Sequence, residues 1–129
     1  MNNHRFPNID LLLTLHNKAR SKSWFSKVSD LKIDDSLNFY ASDWAEYMAN
    51  KNKLTHSFMS DIMKLGFSIA GENIAYGQED EKSVMQTWLK SMGHKRNIMN
   101  KSFTHMGCGL AYSKDTIPYW CVCFGKKKN

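Results

Sequence analysis

Apolar residues recur at helical spacing along the first half of the chain and at strand spacing along its last quarter. Ile9, Leu12, Leu13, His16 and Ala19 or Arg20 share one face at steps of three and four, which predicts a helix over 8–21 with Pro7 near its first turn. Leu37, Tyr40, Ala41, Trp44 and Met48 repeat the stripe in a second helix. Asp34 or Asp35 can cap that helix by accepting backbone N–H bonds, and it should end near 50–52. A loop over 51–57 carries His56, and a short turn at 60–65 is stopped by Gly66. The segment Gly71-Glu72-Asn73-Ile74-Ala75-Tyr76-Gly77 suits an extended stretch. Glu79, Asp80 and Glu81 complement the dipole at the start of a helix over 79–92. Its apolar face is Val84 or Met85, Trp88, Leu89 and Met92; Gly93 follows its end and 94–100 makes one more turn. Residues 106–112 and 119–124 read as a hairpin around 113–118, with Cys121 and Cys123 on the same side of their strand. Helices first, then helices and strands mixed, argue for an α+β fold or a layered αβα sandwich.

Composition adds little to that picture but excludes a good deal. With 129 residues, 42% hydrophobic and 12% aromatic, the chain matches one globular domain over 1–129, with short flexible tails expected at about 1–7 and 125–129. No apolar run is long enough to span a membrane. The stretch 9–15 is interrupted by Asp10 and Thr14 and lacks a small-residue cleavage site, so no secretory signal is expected in these residues. Lys and Arg outnumber Asp and Glu by 18 to 12, giving +6. That balance favours anionic partners, although scattered lysines are also an ordinary solubilising surface. No basic motif interleaved with aromatics is present, which argues against nucleic acid.

The candidate chemistry lies in the histidines, the cysteines and one carboxylate. Cys108, Cys121 and Cys123 are odd in number, and C-x-C is not a zinc spacing. Cys108 is expected to lie across the closing strands from Cys121 or Cys123, where a disulfide would suit an extracellular chain; three reduced thiols are equally allowed. His16 falls on an apolar helical face and reads as a buried, hydrogen-bonded core residue, and His105 as surface or rim. Trp44 and Trp88 lie on helical stripes and read as core, and the eight methionines suggest an adaptable interior or groove. Two imidazoles and a carboxylate, such as His56, His94 and Glu72, can hold a zinc ion with a place open for water, but nothing like H-E-x-x-H orders them.

Five short motifs resemble the CAP superfamily (cysteine-rich secretory proteins, antigen 5, pathogenesis-related 1). They are Leu15-His16-Asn17 with Arg20, Leu54-Thr55-His56-Ser57, Gly71-Glu72-Asn73-Ile74-Ala75, Trp88 through Ser91-Met92-Gly93-His94 to Asn97-Ile98, and the closing pair Met106-Gly107-Cys108-Gly109 and Tyr119-Trp120-Cys121. Their joint order is specific where each alone is weak. The resemblance implies a three-layer αβα sandwich with a small, mainly antiparallel central sheet. It also implies a cleft binding site formed by His56, Glu72, Ser91 and His94. The family's cleft typically holds two histidines and two acids. The second acid of many members falls here on Ser91, so this cleft has the reduced pattern of bacterial-type members. His56 and His94, with Glu72 nearby, are the implied ligands for zinc or another divalent metal, none being required. The resemblance implies an extracellular, non-enzymatic binding module for a lipid or sterol, an anionic glycan or a protein; without a signal in the chain, a cytoplasmic place stays open. The competing reading is a metal-dependent hydrolase with Glu72 as base, or with Ser91 as nucleophile beside His94; Ser91 lacks a nucleophile elbow.

Overall fold

The computed structural model describes residues 6–22 and 28–129. His4 and the first five residues of the expected N-terminal tail lie outside them. Helix α1 runs Ile9–Arg20, with the Asn8 side chain accepting from the Leu11 N–H. Strand β1 is only Lys32–Ile33. Asp34, rather than Asp35, caps α2 at Asp35–Lys51 by accepting from the Leu37 N–H. Asn52 ends α2 in the left-handed region, at φ 50°. Helix α3 covers Met59–Met63, and Gly66, at φ 109°, closes the turn after it.

Strand β2 spans Phe67–Tyr76 and so begins four residues before Gly71, the boundary that the sequence suggests. Asp80 caps α4, Glu81–Lys90. Ser91 then turns extended and starts α5, Met92–Ile98, so Gly93 lies inside a second helix and not just past the end of the first. Strands β3, His105–Tyr112, and β4, Pro118–Lys127, form the expected hairpin. Gly125 to Lys127 are paired with β2 residues, so β4 extends into the expected C-terminal tail.

The sheet order is β1-β3-β4-β2. β3–β4 and β2–β4 are antiparallel, and β1 joins β3 in parallel, which makes the sheet mixed. A two-residue strand carries too little alternation to announce itself in the sequence. On one face, Leu37, Ala41, Ala45 and Met48 of α2 pack with Ile62, Ile74, Cys121 and Cys123. On the other, Leu12 of α1 and Val84, Met85 and Trp88 of α4 pack with Cys108, Trp120, Val122 and Phe124. The result is the expected three-layer αβα sandwich, a fold in which each sheet face and each helical stripe is covered by a neighbouring layer.

Two glycines set the close approach of α2. A Cβ at Gly107 would lie 2.2 Å from the backbone of Leu37, and one at Gly109 would lie 2.2 Å from the Ala41 carbonyl. No side chain fits there, so the helix backbone rests on β3 itself. Trp88 is fully buried and donates from its indole to the Ile74 carbonyl at 3.1 Å. Trp44 is half-buried, donates to the Thr55 carbonyl at 2.7 Å and stacks on Tyr47.

Candidate functional site

Alternation along β2 sends Glu72 and Ile74 toward α2, and Asn73 and Ala75 toward α4 and α5. Glu72 is only 4% exposed. A carboxylate taken so far from water is tolerable only with donors around it. Oε1 accepts from the Ser57 backbone N–H at 2.9 Å and from His56 Nδ1 at 2.8 Å. Oε2 accepts from the Ser57 hydroxyl. The thiols of Cys121 and Cys123 approach the same oxygen at 3.8 and 3.9 Å. Those thiols belong to β4, where Cys123 is the register partner of Glu72 and Cys121 lies two positions back on the same face.

His56 is the exposed end of this chain of contacts, with 59% of its side chain accessible. His94 stands on α5, half-buried, and its Nδ1 is buried without a hydrogen-bond partner. Burial, followed by repulsion from His56, holds its imidazole below the ordinary histidine range. The two histidines therefore share one electrostatic neighbourhood. Two amides fix that neighbourhood: Asn73 donates to the His94 carbonyl at 3.1 Å, and Asn97 donates to Asn73 Oδ1 at 2.9 Å and to the Glu72 carbonyl at 3.1 Å.

Ser91 sits at the α4–α5 junction, half-buried, and its side chain makes no capping hydrogen bond. Among the described residues it also has no hydrogen bond to His94. Tyr40, from α2, lines the same region; burial raises its phenol pKa, against a hydrogen bond from Ser57 and with Glu72 and Cys123 adding to the rise. Tyr40 appears in the sequence as one more member of a helical stripe, so nothing there marks it as a site residue.

The cysteines correct one expectation. Cys108 pairs with Val122 in the β3–β4 register, between Cys121 and Cys123, and therefore points to the opposite face of the sheet. A disulfide from Cys108 to either partner would have to pass through the sheet. All three cysteines are free and buried. Burial pushes the Cys108 and Cys121 thiols up, and Cys121 is raised further by its hydrogen bond with Cys123. Among the described residues, the three ligand atoms lying within 4.8 Å of one another belong to Glu72, Cys121 and Cys123. His56 touches that cluster through Glu72, and His94 is outside it.

A second feature lies on the other side of the sheet. A groove of about 660 Å³ opens between α1, α4 and α5, with Leu15, Ala19, Met85, Leu89 and Met99 lining it. Lys18, Lys82 and Lys95 reach it from α1, α4 and α5, and Lys22 from the turn after α1. The histidine of α1, His16, is fully buried beneath this face and bonds through Nδ1 to the Leu12 carbonyl at 2.7 Å, in the core role that its helical position predicts. His105 is half-buried at the start of β3.

The family described as CAP, cysteine-rich secretory protein family, matches residues 13–124. An uncharacterised protein of Bacillus subtilis, YkwD, is 34% identical over 110 residues, which cover 79% of this chain and 42% of that protein. An outer surface protein of Borrelia burgdorferi is 28% identical, covers 92% of both chains and superposes with a TM-score of 0.81. An extracellular protein of Bacillus anthracis containing an SCP domain is also 28% identical, with a TM-score of 0.79, over 93% of this chain and 40% of that one. The chain thus spans less than half the length of YkwD.

Proposed function

The chain belongs to the CAP, cysteine-rich secretory protein family, and from that premise we propose that it is an extracytoplasmic, non-enzymatic module that binds an anionic amphiphile, an acyl chain with a negatively charged head. The observation that carries this reading is the groove between α1, α4 and α5: an apolar lining with four lysines around it. An apolar trough takes up a hydrocarbon chain, and a ring of ammonium groups selects a carboxylate or phosphate at its end. The outer-surface and extracellular descriptions of two relatives support the location.

The cleft supports the non-enzymatic part. Glu72 is held by hydrogen-bond donors inside the α2-facing layer and is almost wholly buried, so this carboxylate is poorly placed to serve a solvent water as general base. The contact between His56 Nδ1 and Glu72 is the one a metal-bound histidine makes with a carboxylate behind it, leaving Nε2 for an ion. With the unpartnered His94 Nδ1, it supports a divalent metal such as zinc on the two imidazoles as an accessory of the module.

The test is equilibrium binding of a fluorescent fatty acid, with lysophosphatidylglycerol, a neutral monoacylglycerol, a sterol and a sulfated glycan as competitors. Displacement by the anionic lipid and not by the neutral one is the expected result, with binding weakened at least tenfold in Lys18→Glu/Lys82→Glu. Displacement by sterol or glycan alone would transfer the module to that ligand class, and equal displacement by all the lipids would remove the role of the lysines.

A further inference from the structure

The buried thiol pair is not used by the groove or by the histidines. We propose that Glu72, Cys121 and Cys123 form a site for one divalent ion of the zinc class, inside the α2-facing layer.

Three observations carry the assignment. The first is topological. β2 and β4 are neighbours, Glu72 and Cys123 are register partners, and Cys121 projects from the same face as Cys123. Two adjacent strands therefore present three ligand atoms toward one point, although the residues are widely separated in sequence.

The second is metric. The two sulfurs are 3.7 Å apart, and Glu72 Oε2 lies 3.8 and 3.9 Å from them. A tetrahedral zinc ion with bonds of about 2.3 Å to sulfur and about 2.0 Å to oxygen sets sulfur atoms about 3.8 Å apart and sulfur–oxygen pairs about 3.5 Å apart. The sulfur spacing already agrees, and the carboxylate needs to close by only a few tenths of an ångström. Oε1 stays with His56 and the Ser57 N–H, which orients Oε2 as an outer hydrogen bond orients a metal ligand.

The third is charge. Binding a divalent ion while releasing the two thiol protons leaves the net charge of the pocket unchanged. A monovalent ion in the same exchange would leave an extra buried negative charge, which is costly. Two thiolates also select zinc or cadmium over magnesium and calcium. Three protein ligands leave one tetrahedral position, and the Ser57 hydroxyl, which already donates to Oε2, is the adjacent polar group.

Both sulfurs are fully buried, so the ion is expected to enter while the chain folds and to exchange slowly afterwards. The full chain is therefore unfolded with reductant and chelator, then refolded with cobalt(II) as the probe and desalted. The expected result is about one cobalt per chain held at the thiols, beside any ion on the two imidazoles, with a thiolate-to-cobalt charge-transfer band in the near ultraviolet. That band should disappear in Cys121→Ser/Cys123→Ser and persist in both Cys108→Ser and His56→Ala/His94→Ala. Wild-type protein that refolds with native circular dichroism but retains no cobalt would overturn the proposal, whatever the variants do. So would cobalt retained without the band, or a band lost only when the two histidines are replaced. The lipid-binding reading is untouched by any of these outcomes, because the groove shares none of these residues.

Discussion

Two buried charges, one on each side of the sheet, are neutralised in opposite ways. Arg20 ends α1 with no exposure, and its guanidinium donates to the carbonyls of Ser29, Ile98, Asn100 and Phe103. Every one of these partners is backbone, and together they tie two separate stretches, around 29 and over 98–103, to the end of one helix. Glu72 is almost as buried, but beyond the Ser57 backbone N–H its partners are side chains: an imidazole, a hydroxyl and two thiols. Backbone carbonyls cannot titrate or ligate a soft metal, whereas imidazole and thiols can do both. The same physical demand, a charge that must be satisfied out of water, thus yields a fixed staple on one face and a chemically addressable cluster on the other.

The sharpest way to break this comparison is to remove each charge. Arg20→Met strands four carbonyls and should cost about 3–5 kcal/mol, read as a fall in the urea midpoint at constant slope. If Glu72→Gln proved the costlier change, the roles assigned to the two faces would be reversed.

The next largest effect is a dependence on pH. Burial, set against the Leu12 hydrogen bond and reinforced by the Arg20 charge, holds His16 near a pKa of about 4 instead of 6.5. The folded state therefore favours the neutral ring. The stability this provides is complete above pH 6.5 and is lost as pH falls toward 4, by about 3 kcal/mol in all. His16→Phe, which keeps ring contacts to Trp88 and Phe124, should flatten the stability profile in that window. An unchanged slope would place the acid sensitivity elsewhere.

Glu72→Gln comes third. It keeps the shape but weakens the contacts to His56 and Ser57, and should cost about 1–2 kcal/mol. Intact-mass measurement after alkylation in denaturant without reductant should show three labelled thiols in wild type, and none when the metal-free protein is labelled folded. The smallest effect belongs to the groove. Lys82→Glu should shift stability by no more than about 0.5 kcal/mol, since the residue is exposed, while weakening anionic lipid binding.

The contrast between faces also explains what can be read from the chain in advance. The stripes of α1 and α2, the acidic start of α4 and the closing hairpin rest on local periodicity and local electrostatics, so residue order reveals them, and it narrows the α2 cap to Asp34 or Asp35. Motifs single out His56 and Glu72, and the two meet at 2.8 Å. The thiol cluster is hidden because C-x-C is no metal signature along one strand and becomes one only when β2 lies beside it. Its local clue, two cysteines on one strand face, is present in the sequence but lacks the third ligand. Cys108 is misplaced by sequence reasoning because a one-residue register difference inverts a side chain, and register is decided by the whole sheet. The lysines of the groove come from positions 18, 22, 82 and 95, which no one-dimensional pattern joins.

The strand order has a consequence for how the domain comes into being. The two central strands, β3 and β4, are supplied by residues 105–127, while α1, α2 and α4 are made earlier. During synthesis those helices have apolar stripes and no sheet to lie on, and β2 has no partner until β4 emerges. Assembly is therefore a single late event that closes long loops at once, with the ordering cost that non-local contacts carry. A ribosome stalled before residue 118 would hold a chain with exposed stripes, a ready client for chaperones, and release of the ten residues of β4 would be the step that lets both faces of the sheet be covered together.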